Sequence, residues 1–81
     1  MNLELYTEVA LKIDIPEDNL KKGDITTLID FIPHPQDGEL GCVLEVFNAI
    51  GQSIAVVTVP KSAIKALAEN EILTTRLLEK L

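Results

Sequence analysis

The sequence predicts a small all-β domain, with five short antiparallel strands curled around a single core. Three observations carry that expectation. The chain has 81 residues, enough for one core and not for two. Ile, Leu and Val occupy 27 of those positions, which is too apolar for a disordered chain despite a net charge of -6. Clusters of turn residues cut the chain into apolar runs of five to eight residues, the length of short strands.

The elements follow in order. Glu8–Ile13 reads as the first strand, because Val9, Leu11 and Ile13 alternate with Glu8, Ala10 and Lys12. Pro16-Glu17-Asp18-Asn19 and Lys22-Gly23-Asp24 then turn the chain. Gly23 supplies a backbone conformation that side-chained residues avoid. Ile25–Ile32 is the second strand, rich in β-branched residues. Pro33 and Pro35 keep the next loop from pairing, and Asp37-Gly38 turns it. Leu40–Phe47 and Gln52–Val59 form a hairpin across Asn48–Gly51, and Pro60 ends its second strand. Ser62 can cap a short helical turn, and Ile64–Leu67 reads as a brief fifth strand. Residues 69–81 form an extension for which a short helix, an extra strand and a disordered tail all remain open. The whole chain, 1–81, is one domain with its core over about residues 5–68.

Both faces of the central strands are apolar. Leu40, Cys42, Leu44 and Val46 share one face of the third strand, and Ala55, Val57 and Val59 one face of the fourth. In the second strand, Ile25, Thr27, Ile29 and Phe31 point one way; Thr26, Leu28, Asp30 and Ile32 point the other. A small antiparallel barrel buries only its inner face. Val43, Phe47, Ile54 and Val56 are therefore expected to form an outer patch, and these four are the candidate protein-binding residues. Either Ile72, Leu73, Leu77 and Leu78 fold back over that patch, or another chain covers it. A two-fold homodimer and a cognate protein partner both satisfy the second case. The acids Asp14, Glu17, Asp18, Asp37 and Glu39 are expected to ring the patch without crossing it.

Charge disfavours some functions. Thirteen acids face seven bases. Nucleic-acid binding needs a basic footprint, yet Lys21 and Lys22 are the only adjacent bases and Arg76 the only arginine. Tyr6, Phe31 and Phe47 are too few for a stacking platform. The acidic balance suits a basic protein partner. No apolar run approaches the roughly 18 residues of a membrane helix. The start lacks the basic region of a signal peptide. The lone cysteine is not that of a small secreted domain. A cytoplasmic protein without membrane contact is the expectation.

No catalytic, cofactor or metal residue is expected, and the chain reads as a non-enzyme. Cys42 has no basic sequence neighbour to make it a thiolate and reads as a buried small hydrophobe. His34 is the only histidine and sits in a proline-flanked loop. Asp14, Glu17, Asp18 and Asn19 cluster, but Pro16 and a missing glycine break the spacing of a calcium loop.

Four stretches together carry a resemblance: Val9-Ala10-Leu11; Leu20-Lys21-Lys22-Gly23-Asp24-Ile25-Thr26-Thr27-Leu28-Ile29; Leu44-Glu45-Val46-Phe47 before Gly51; and Ala55-Val56-Val57-Thr58-Val59-Pro60. In that order they resemble a family of short bacterial proteins, classed as a domain of unknown function with an SH3-like or KOW-like small barrel. The likeness covers about residues 5–68. The chain departs from the pattern at Thr26, where glycine is expected, and in its longer Pro33–Glu39 loop. The resemblance implies an SH3-like five-stranded antiparallel barrel and no catalytic residues. It also implies genes that lie beside toxin-like or nuclease-like partners, hence an antitoxin or immunity role. The leading expectation is thus a non-enzymatic protein-binding module that neutralises a toxin-like protein. An accessory or structural subunit of a larger enzyme is the alternative, with an RNA-associated KOW-type module behind it.

Overall fold

A computed structural model of the chain describes residues 3–36 and 38–78. Five strands run in chain order: β1 (Glu8–Leu11), β2 (Ile25–Ile32), β3 (Gly41–Phe47), β4 (Ser53–Pro60) and β5 (Ile64–Ala66). Two 3-10 turns, Pro16–Asp18 and Lys61–Ala63, complete the regular structure. The strands form one antiparallel sheet in the order β4-β3-β2-β1-β5. No helix among the described residues is long and apolar enough to cross a membrane.

β4 and β5 lie at opposite edges of the sheet, yet only Lys61–Ala63 separates them in sequence. A flat five-stranded sheet holds its edge strands about 19 Å apart. The four peptide links from Pro60 to Ile64 span about 15 Å at full stretch, and a 3-10 turn shortens them further. The sheet must therefore curl. It does not close: no ladder joins β4 to β5 among the described residues. The five antiparallel strands expected from the sequence are present, as an open, curled sheet. Its ends are tied by the Lys61 N–H to the Leu40 carbonyl at 2.9 Å and by the Lys12 N–H to the Ala63 carbonyl at 2.7 Å.

The concave side holds the core. Val9, Leu11, Leu28, Cys42 and Leu44 are at most 1% exposed, and Val46, Val57, Val59 and Ile64 pack with them. The 3-10 turn at Pro16–Asp18 hangs from a bridge between Ile15 and Leu20, whose side chains plug one end of this core. Gly23 and Gly51 both take positive φ, +93° and +83°, with open space where a Cβ would stand. Their requirement is thus one of backbone conformation and not of room.

Several elements differ from the sequence expectation. The first strand ends at Leu11, and Ile13 is exposed, because the chain leaves the sheet to reach the Ile15–Leu20 bridge. Pro60 remains inside β4, paired with Gly41, since a strand end at a sheet edge tolerates a missing N–H. In β2 the pairing shifts between Leu28 and Asp30. This bulge places Leu28 and then Phe31 on the core side and sends Asp30 and Ile32 to the outer face. Strict alternation had assigned the last residues of β2 the other way round. Ser62 caps no helix. Its N–H and Oγ donate to the Glu39 carboxylate at 2.5 and 3.1 Å. Residues 67–78 form neither helix nor strand. The expected Asp37-Gly38 turn falls partly outside the described residues, as do positions 79–81 of the extension.

Candidate interaction face

The convex side of β3 and β4 carries the four residues singled out from the sequence. Phe47, Ile54 and Val56 are 40%, 44% and 59% exposed, and Val43 is half-buried. Register brings them together: Val43 lies opposite Thr58, and Phe47 opposite Ser53 beside a bulge that adds Ile54 to β4. Ile32 joins the patch, which the sequence reading missed. It is 45% exposed and lies opposite Gly41. A Cβ on Gly41 would stand 3.3 Å from the Ile32 carbonyl and 3.6 Å from the Thr58 methyl, so glycine leaves a shallow notch there.

One acid runs through the patch. Glu45 lies on β3 between Val43 and Phe47, opposite Val56 on one side and Thr27 on the other. Its Oε2 accepts a hydrogen bond from Ser53 Oγ at 2.6 Å, which orients the carboxylate along the face. The expectation that negative charge would ring the patch and not cross it is corrected by Glu45. Its period-two position beside Val43 and Phe47 was legible in the sequence. Asp30, opposite Val43, adds a second acid at the margin.

The tail does not cover this face. It lies against the other half of the convex side, where it leaves a groove of ≈ 430 Å³ lined in part by Ala10, Ile25, Lys65, Leu67 and Leu73. Ala10 is 3% exposed there. Among the described residues, two ion pairs hold the tail. Lys65 Nζ meets Glu71 Oε2 at 2.6 Å, and Glu71 also accepts the Ala68 N–H at 2.7 Å. The Lys65 ammonium and that N–H together hold the Glu71 carboxyl below its usual range. Farther on, Arg76 grips Asp24 with Nε at 2.8 Å and Nη2 at 2.5 Å, while Nη2 also donates to the Asn19 carbonyl. Burial pushes the Asp24 carboxyl up, but the Arg76 guanidinium and the Lys21 N–H outweigh it and leave the group below its usual range. Ile72 and Leu77 remain almost fully exposed, so the tail's apolar residues do not shield Phe47 and Val56.

The other residues weighed for chemistry make local contacts or lie buried. Asp14 Oδ1 accepts the Lys22 N–H at 2.8 Å and Asp24 Oδ2 the Lys21 N–H at 2.8 Å, so the acids of this region hold the Leu20–Asp24 loop. Among the described residues no three His, Cys, Asp or Glu side chains converge to hold a metal ion. His34 Nδ1 accepts the Gln36 N–H within its own loop. Cys42 is fully buried, and burial pushes its thiol up, away from the thiolate. Thr26 is 2% exposed and its Oγ1 has no hydrogen-bond partner among the described residues.

A family model described as "Domain of unknown function (DUF4926)" matches residues 5–66. The chain belongs to this family. The DUF4926 span begins just ahead of β1 and ends on the last residue of β5, so it contains the whole sheet. The tail from residue 67 lies beyond it. Neither the curated proteins nor the solved structures yielded a match to the chain.

Proposed function

We propose that this DUF4926 chain is a non-enzymatic protein-binding module that docks a basic partner on the convex face of β3 and β4. We read the curled sheet as an SH3-like barrel left open at one seam. The observation that carries the proposal is Glu45, a carboxylate oriented by Ser53 within an apolar surface of Val43, Phe47, Ile54 and Val56. Apolar side chains around a placed charge give a partner both contact area and a polar register. The matching surface is an apolar anchor beside a lysine or arginine. The net charge of -6 supports attraction of a basic protein over longer range. The resemblance to small bacterial proteins encoded beside toxin-like neighbours supports an antitoxin or immunity role, carried out in the cytoplasm.

The test is co-purification of tagged protein from its native host, then reconstitution with the purified partner. The proposal expects a basic partner whose binding is lost with Glu45→Lys and weakened by Phe47→Glu, while circular dichroism stays unchanged. A partner that binds both variants as tightly as wild type refutes the face. A partner that is a metabolic enzyme, held through this face, makes the chain an accessory subunit instead.

A further inference from the structure

We propose that the free edge of β4 pairs antiparallel with β4 of a second copy, joining two sheets into one. Among the described residues, β4 is an edge strand bonded only to β3. The Lys61 N–H donates to the Leu40 carbonyl, one step beyond the Gly41–Pro60 pair. Bonded and non-bonded pairs alternate along an antiparallel ladder. Val59, Val57 and Ala55 therefore bond to β3, while Val56 and Thr58 turn both N–H and C=O to the open side. No hydrogen bond reaches those groups from elsewhere among the described residues.

Edge strands are normally guarded by charge, above all by lysine. β4 has none. From residue 46 to residue 60 the chain carries no charged side chain at all, although 25% of its residues are charged. Only Pro60 and the bulge beside Ile54 interrupt this edge. A pairing centred on Val57 avoids both. It joins Val56 to Thr58 of the other copy, and Thr58 to Val56, through four backbone hydrogen bonds.

A second copy is the occupant that the charge pattern favours. An antiparallel joint between identical strands is two-fold by construction, so each copy presents what the other needs. The overall charge of -6 does not oppose it locally. The nearest acids to the joint, Glu45 of each copy, sit one strand behind each β4. That places them about 14 Å apart, beyond a Debye length of about 8 Å. The convex faces then merge side by side and stay open, so this joint does not depend on the partner reading above.

Amide hydrogen exchange read residue by residue, with sedimentation velocity, decides the matter. The full chain should sediment as a dimer at high concentration. Protection at the Val56 and Thr58 amides should rise by about tenfold or more between micromolar and millimolar protein. Val56→Lys should give a folded monomer in which the Thr58 amide exchanges fast. Thr58→Pro, which removes only an outward N–H, should likewise give a folded monomer, in which the Val56 amide exchanges fast. A chain that stays monomeric at millimolar concentration overturns the proposal. So does a dimer whose Val56 and Thr58 amides exchange freely, or one that Val56→Lys leaves intact. Protection independent of concentration would mean that this chain covers its own edge, and would overturn it too.

Discussion

Thr26→Val should stabilise this protein. Thr26 lies on β2 opposite Val9, a residue with no exposed surface, and is itself 2% exposed. The side chain is buried, and Oγ1 is shut away from water with no partner among the described residues. A buried hydroxyl without a hydrogen bond costs about 1–3 kcal/mol of desolvation. Valine keeps the branched shape and suits the strand, so it removes the penalty without opening a cavity. The gain should be about 1 kcal/mol, the low end of that range, because a hydroxyl finds partial compensation even in a tight site. For a domain of this size that is a rise in Tm of roughly 4–8 °C. Urea unfolding followed by circular dichroism measures it directly, with the m-value as a check that both end states are unchanged. Thr26→Ser supplies the contrast: it keeps the hydroxyl, loses the methyl and should be destabilised. A Thr26→Val midpoint equal to or below wild type refutes the reasoning, since it would mean that Oγ1 makes a worthwhile bond.

The Asp24–Arg76 pair should make stability depend on acid. Asp24 has a lowered carboxyl pKa in the folded chain, so its contribution is complete above the unfolded value and is lost as pH falls through the folded one. Arg76→Ala should therefore cost about 1 kcal/mol at neutral pH, and its unfolding midpoint should converge on that of wild type below about pH 4. Gly23→Val should destabilise by about 1–2 kcal/mol, all of it from the positive φ, because the space beside Gly23 is open. Denaturation of Gly51→Val, whose φ is also positive, should show a cost of the same kind. Cys42 should react slowly with a thiol reagent in the native state and rapidly in denaturant. Fast native labelling would place it outside the core.

Local signals carried most of the fold into view. β2 has the bounds that its β-branched run predicts, and the β3–β4 hairpin follows from period-two patterning around Asn48–Gly51. The convex face was legible for the same reason, since Val43, Phe47, Ile54 and Val56 alternate with buried neighbours. What escaped depends on partners distant in sequence. The bulge after Leu28 is a property of how β2 meets β3, and it alone moves Ile32 onto the outer face. That β4 and β5 stand at opposite edges of the sheet, with no ladder between them among the described residues, follows from strand order and not from local pattern. The path of the tail rests on a pair 52 residues apart, Arg76 and Asp24, which no local periodicity announces.

A protein docked on the convex face of β3 and β4, as proposed, can be trapped by site-specific photo-crosslinking in the native host. Benzoylphenylalanine at position 47 replaces one aromatic by another on a side chain that is 40% exposed, with position 6 as the control because Tyr6 is 75% exposed and lies outside the face. Position 47 should give one dominant adduct, to a basic protein, that is absent from position 6 and is lost when Glu45→Lys is added. No adduct from position 47, or the same adducts from both positions, would contradict it.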